Sequence, residues 1–226
     1  MCPGWTNISE PMPAPKILRR RAGIATPLFS VWSKKSIGVG ELPDLELLAD
    51  WCCSTGSSII QLLPMNDVGF DFRPYDTESS LALEPMHLSL EQIRFVPMTA
   101  FAEEVRFLRK KYPPESLWFD TRIKKDKLTL LKKMFLKRET KGDQAFRSYC
   151  RAQQFWLEDY ALFKVLKKKM NGSAWETWPE EFKTRKPQAL QKIQSEEKEL
   201  LDFQRWLQWR EPRSNPGWKR GRFLRL

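Results

Sequence analysis

The sequence predicts an α/β fold: the first βα units of a parallel sheet, then a large, mainly helical insertion. Three observations carry this expectation. Ala22-Gly-Ile-Ala-Thr-Pro-Leu28 and Ser58-Ile-Ile-Gln-Leu-Leu63 are short apolar runs of strand length. Between them, Leu45, Leu48, Ala49 and Cys52 recur at helical spacing. From about Thr99 the apolar period is helical.

Taken in order, residues 1–16 are rich in Pro and polar side chains and read as a loose leader. Residues 17–98 hold the first βα units. The strand over 22–28 ends at Pro27, which cannot donate to a ladder. A loop through Ser36-Ile-Gly-Val-Gly40 follows, its glycines permitting tight geometry. The spacing then predicts a helix over Leu42–Cys53, with Pro43 in its first turn and Gly56 ending it. Ser58–Leu63 is nearly all apolar, which suits a parallel strand buried on both faces. Strand, helix and strand make one βαβ unit, the building block of α/β barrels and open sheets. The long connection Met65–Glu84 leaves the C-terminal end of the second strand, where α/β folds bind ligands, and is the most site-like stretch.

Residues 99–210 read as the helical insertion. Helices are expected over Ala100–Lys111, stopped by Pro113-Pro114, and over Leu128–Arg138. A single long helix is expected over Gln144–Met170, ended by Asn171-Gly172, and another over Ser195–Arg210. Residues 211–226, with Pro212 and Pro216, form a divergent, irregular tail.

Composition narrows the function classes. Hydrophobic residues at 41% and aromatics at 12% exclude a wholly disordered chain. The longest apolar stretches, such as Ile59–Met65, fall short of the roughly 20 residues a bilayer needs. The N-terminus lacks the apolar core of a signal peptide, so a cytoplasmic location and no membrane partner are expected. Cys2, Cys52, Cys53 and Cys150 show no zinc-ligand spacing and read as reduced thiols. His87 is the only histidine, which argues against Ser-His or Cys-His nucleophiles. No metal or cofactor is expected, and the sequence sets no oligomeric state. The net charge of +11 divides into −3 over residues 1–100 and +14 over 101–226. No recognised nucleic-acid motif accompanies the basic half, which reads as a solvated helical surface, the run Lys167-Lys168-Lys169 included.

Three stretches together carry a resemblance. The first is Ala22-Gly-Ile-Ala-Thr-Pro-Leu28 with Ile37-Gly-Val-Gly-Glu-Leu42. The second is Gln61-Leu-Leu-Pro-Met-Asn66, then Gly69, Pro74-Tyr75, Ser79, Ala82 and Pro85. The third is Phe155-Trp-Leu-Glu-Asp-Tyr-Ala-Leu-Phe163 with Trp175-Glu-Thr-Trp-Pro-Glu-Glu181. In this order and spacing, over roughly residues 22–210, they resemble the front part of the amylomaltase (4-alpha-glucanotransferase) family of alpha-retaining glycoside hydrolases. The resemblance implies an incomplete (β/α)8 barrel bearing a helical insertion, since a closed barrel alone takes about 250 residues. It also implies transfer of alpha-1,4-glucan segments between maltooligosaccharides in glycogen or starch metabolism. That chemistry takes a carboxylate nucleophile and a carboxylic acid/base about 5–5.5 Å apart. In the family both sit on later barrel strands, so no residue here is expected to be catalytic. The chain alone is expected to be inactive; a non-catalytic glucan-binding remnant is the alternative.

By the same resemblance the Tyr75 ring lines the glucan subsites, where an aromatic face packs on sugar C–H groups. Arg73 and Asp76 stand where many relatives carry a small hydroxyl and an amide. They either bond a sugar or lock the loop as an ion pair. Asn66 and Ser79, with Asp67, are further candidates whose ordinary reading is loop capping. Trp175 and Trp178 read as a staple between the helical insertion and the barrel, and His87 as an ordinary packed residue. Glu158, Asp159, Glu180, Glu181, Glu196 and Glu197 read as helix charges. Gly221-Arg-Phe-Leu-Arg-Leu226 resembles a family strand only faintly, so a truncated or frameshifted reading frame is expected. An open sheet with uncovered edges is expected to leave the product poorly soluble.

Overall fold

The computed structural model describes residues 21–209 apart from Leu117. The expected leader and divergent tail lie outside the described residues. The fold is mixed α/β with few strands. Strands β1 (Gly23–Thr26) and β2 (Ile59–Leu62) pair in parallel, in register from Gly23 opposite Ile59 to Thr26 opposite Leu62. Helix α1 (Asp44–Ser54) connects them, completing the expected βαβ unit. Its inward face is the one the spacing marked: Cys52 is buried, and Leu45, Leu48 and Ala49 are half-buried. Gly56, at a φ of 75°, takes the left-handed turn after the helix. The expectation that the second strand is buried on both faces is corrected. Exposed and half-buried residues alternate along both strands, and Ile59 is 44% exposed, because the described sheet has only two strands to cover one another.

Beyond Met98 the chain is helical. The helices are α2 (Ala102–Lys111), α3 (Arg122–Leu136), α4 (Asp143–Ala152), α5 (Gln154–Lys169), the single turn α6 (Glu180–Lys183), α7 (Pro187–Glu196) and α8 (Lys198–Gln208). Three expectations are revised. Helix α3 begins at Arg122 rather than Leu128, because Ile123, Lys124 and Lys127 continue its buried face. The helix expected over 144–170 is two. Gln153 leaves helical geometry at φ −106° and ψ 9°, and its side-chain oxygen accepts from Trp156 Nε1 at 2.8 Å. The last helix is preceded by α7, opened by Pro187, whose fixed φ suits a first helical position. Glu196 and Glu197 therefore stand at the α7–α8 junction, where Glu197 pairs with Lys169 at 2.8 Å.

The core lies among the helices and the loops they cover, not in the strands. The largest cluster joins Ile37, Val39, Met86 and Leu88 from the first hundred residues to Leu131, Met134, Phe135 and Trp206 from α3 and α8. Leu131 and Met134 are fully buried, and truncating such a side chain to Ala typically costs about 2–5 kcal/mol. A second cluster sets Trp178 against Phe163, with ring centroids 5.6 Å apart, beside Leu162, Val165, Ile193 and Leu201. Trp178 also donates through Nε1 to the Ser173 carbonyl at 3.1 Å. The expected tryptophan staple is thereby relocated: Trp178 packs among α5, α7 and α8, and Trp175 is exposed.

Candidate functional site

The loop after β2 folds back on itself and closes at its base. Pairing with β1 runs one step past the strand, from Leu63 N to Thr26 O at 3.2 Å. Asp67 N then donates to Ala82 O and Glu84 N to Met65 O, each at 2.9 Å, with Asn66 opposite Leu83. The intervening residues form a compact loop whose ends are held together. Gly69 turns it at a φ of 63°, and Phe72 takes a left-handed φ of 56° unusual for a side chain of its size. Its ring meets Phe119 edge-on, centroids 5.1 Å apart.

The expected site residues separate by role. Asn66 donates from Nδ2 to Ala82 O at 3.4 Å and belongs to the base of the loop. The Ser79 hydroxyl accepts from Leu81 N and Ala82 N at 3.2 and 3.1 Å and caps a turn. Arg73 bridges Asp71 and Asp76 at 3.6 and 3.0 Å on the open surface. Tyr75 stands between them, 78% exposed, with no partner for ring or hydroxyl among the described residues.

Beneath this tip lies a buried charge network. Asp67 is fully buried, and its Oδ2 accepts from Lys164 at 2.7 Å and from Tyr160 at 2.8 Å. Its Oδ1 accepts from Lys124 at 3.1 Å and from Gly69 N at 3.0 Å. Lys124, itself 1% exposed, also binds Glu84 at 2.7 Å and the Gly69 carbonyl. Lys164 and Lys167 both hold Glu78. Burial works to raise the Asp67 carboxyl, but Lys164 and Lys124 outweigh it and hold the group far below the usual carboxylate range. At Glu84 burial dominates and pushes the carboxyl up, against the pull of Lys124. Burial alone would lower Lys164; Asp67 and Glu78 more than offset it and leave the ammonium raised. Burial, then Asp67, pushes the Tyr160 phenol well above its ordinary value.

A second buried lysine anchors the preceding turn. Lys127 donates to Glu41 Oε1 and to the Met86 carbonyl, each at 2.7 Å. Asp44 accepts from Glu41 N and the Ser36 hydroxyl, also at 2.7 Å, tying the start of α1 to this turn. His87, buried as expected of a packed residue, donates from Nδ1 to the Gly40 carbonyl at 2.8 Å. A Cβ at Gly40 would lie 1.9 Å from the Leu28 carbonyl oxygen, so only glycine fits.

Lys124, Lys127, Lys164 and Glu84 were not among the expected site residues. The signal was present: in α3, Lys124 and Lys127 fall on the same face as Ile123, Leu130, Leu131 and Met134. A lysine on an apolar stripe needs a buried partner. This network is support for the loop and not acid–base machinery, because its carboxylates are enclosed by ammonium groups and out of reach of a sugar. No group of His, Cys, Asp and Glu suited to a metal occurs among the described residues, and no described helix is long and apolar enough to cross a membrane.

The sequence model of the glycoside hydrolase family 77 4-alpha-glucanotransferases matches residues 26–214. The 4-alpha-glucanotransferase of Chlamydia pneumoniae is 34% identical over 161 residues, which are 70% of this chain and 30% of that protein. That of Synechocystis sp. is 30% identical, over 77% of this chain and 36% of the relative. This chain thus spans about a third of the length of these relatives. Among solved structures, amylomaltase from Corynebacterium glutamicum superposes on 84% of this chain and 26% of its own, with a TM-score of 0.66 at 20% identity. Amylomaltase from Streptococcus agalactiae in complex with acarbose covers 84% and 38%, with a TM-score of 0.64 at 19% identity. With a fold that superposes on an amylomaltase over 84% of the chain, and a family match over residues 26–214, the chain belongs to the 4-alpha-glucanotransferase family.

Proposed function

We propose that this chain forms one wall of the alpha-glucan cleft of a cytoplasmic 4-alpha-glucanotransferase, an enzyme that moves alpha-1,4-glucan segments between maltooligosaccharides. Residues 17–98 would supply the first βα units of a (β/α)8 barrel, and residues 99–210 its helical insertion. One observation carries the reading: in a member of this family, the loop leaving a parallel strand offers an unpartnered aromatic, Tyr75, from a base fixed by buried ion pairs. A ring with no other contact is free to pack on a sugar face, and its hydroxyl is free to bond outward. The acarbose bound by the Streptococcus agalactiae enzyme agrees with a sugar ligand for this fold.

Retaining transfer proceeds through a covalent glycosyl-enzyme intermediate that a second glucan's 4-hydroxyl then resolves. The nucleophile and acid/base would come from residues outside the described set. Asp67 and Glu84 are enclosed by lysines, and Asp71 and Asp76 grip Arg73 in the open. Arg73 and Asp76 are accordingly assigned to locking the loop rather than to gripping a sugar. The test pairs two assays on the 226-residue protein. Maltooligosaccharide titration should show binding that Tyr75→Ala weakens about tenfold, a loss of roughly 1.4 kcal/mol. Incubation with maltotriose should release no glucose. Unchanged affinity in the variant would remove Tyr75 from the cleft, and glucose release would show that the reacting acids are within this chain.

A further inference from the structure

On the helical insertion, a cleft of about 800 Å³ opens between α4, α5 and α8. Its volume lies in the range of small-molecule sites. Five cations line it, Arg138, Arg147, Arg151, Lys198 and Arg205, against three acids, Asp143, Glu158 and Asp202. The acids are already engaged. Glu158 takes both nitrogens of the Arg205 fork at 3.1 and 2.5 Å, Asp202 meets Arg205 at 2.8 Å, and Asp143 lies 4.0 Å from Arg138. The side chains of Arg147, Arg151 and Lys198 make no ion pair or hydrogen bond with any described residue. Arg147 and Arg151 stand four residues apart, so both project from one face of α4, while Lys198 opens α8 on another wall.

Three unpaired cations on the walls of one concavity make a field that favours an anion. Two planar guanidinium forks on one helix face suit bidentate bonds to tetrahedral oxyanions. These three line one hollow whose own acids are spent on Arg138 and Arg205. The half-buried Cys150 and buried Phe146 add an apolar patch beside the charges. There the Cys150 thiol is pushed up to about 11, chiefly by burial, and so adds no negative charge. We propose that this cleft binds a phosphomonoester, with the phosphate held by Arg147, Arg151 and Lys198 and the remainder of the molecule lying over Phe146 and Cys150. The site is separate from the Tyr75 loop and does not depend on the glucan reading.

The experiment is calorimetric titration of the 226-residue protein, at physiological ionic strength, with glucose 6-phosphate, adenosine monophosphate and inorganic phosphate. Saturable one-site binding of at least one phosphomonoester, tighter than inorganic phosphate, is expected. The ranking of the first two tells a sugar phosphate from a nucleotide. Arg147→Gln with Arg151→Gln should weaken binding at least about tenfold, and Lys198→Gln should weaken it independently. These are exposed side chains, so unfolding midpoints should stay at the wild-type value. Lys192→Gln, an exposed lysine on α7 outside the cleft, should leave affinity unchanged. Absence of saturation, equal loss in Lys192→Gln, or full affinity in the double arginine variant would each overturn the proposal.

Discussion

At the scale of single residues, Lys124 and Arg73 show how far two ion pairs can differ in worth. Arg73 holds its carboxylates in open solvent, where such pairs contribute about 0–1 kcal/mol. Arg73→Ala should therefore move stability by no more than about 0.5 kcal/mol. Lys124 is enclosed with Asp67 and Glu84, and removing it takes from buried Glu84 its one cation among the described residues and leaves Asp67 with Lys164 alone. Lys124→Met should cost about 3–5 kcal/mol, read from the urea unfolding midpoint. A loss under 1 kcal/mol would mean that water reaches the network. The pH dependence follows from the same geometry. Asp67 has a folded value below its unfolded one, so its ionised form stabilises the fold above about pH 4, and that contribution drains away as pH falls toward the folded value. Glu84 has the opposite sign. Its folded value is raised, so its contribution is greatest in acid and is lost as pH rises through the folded value. Asp67→Asn should flatten the fall in stability on acidification, and Glu84→Gln should steepen it. Midpoints measured between pH 3 and 7 decide this, and a wild-type acid slope in Asp67→Asn would refute the assignment.

At the scale of elements, α8 reaches the candidate loop through one side chain. Gln208 accepts from Leu83 N at 2.9 Å and donates back to Leu83 O at 3.0 Å, pairing with the backbone as a neighbouring strand would. Gln208→Leu keeps the volume but leaves a loop amide and carbonyl unpaired, each costing about 1–3 kcal/mol when buried. The variant should lose about 2 kcal/mol or more, and hydrogen exchange at Leu83 should rise while exchange in α3 stays slow. Equal acceleration in both would mean that Gln208 supports the whole fold and not this loop. Such a contact spans 125 residues of sequence and leaves no local trace, which is why it could not be read in advance. The βαβ unit could be, because its signals are local: Pro27 and Gly56 end their elements, and the α1 face repeats at helical spacing. The start of α3 was misplaced because Lys124 and Lys127 occupy core positions and masked the apolar stripe. The break at Gln153 carries neither Pro nor Gly, so composition gave no warning of it. Of the expected site residues, Tyr75 alone emerges unpartnered, while Asn66 and Ser79 do the loop-closing work that their amide and hydroxyl chemistry suggested.

At the scale of the whole molecule, the lopsided charge acquires a physical role. Acids of the first hundred residues meet cations of the helical segment: Glu41 with Lys127, Asp67 with Lys124 and Lys164, Glu78 with Lys164 and Lys167, and Glu91 with Arg109. Lys167, read at first as part of a solvated run, is one of these clasps. Attraction between an acidic front and a basic helical segment accounts for part of the +14 without invoking nucleic acid. Some apolar side chains of the front unit stay exposed among the described residues. Leu47 and Trp51, one turn apart on α1, are 57% and 53% exposed, and Ile59 on β2 is 44% exposed. Neighbouring exposed apolar side chains such as Leu47 and Trp51 favour association. The 226-residue protein should therefore sediment as concentration-dependent oligomers at micromolar concentration and bind a hydrophobic dye. Leu47→Lys with Trp51→Lys should return it toward the monomer and reduce dye binding, while its unfolding free energy stays within about 1 kcal/mol of wild type. A wild-type chain that stays monomeric and dye-free across that range would show that the face is too small to drive association.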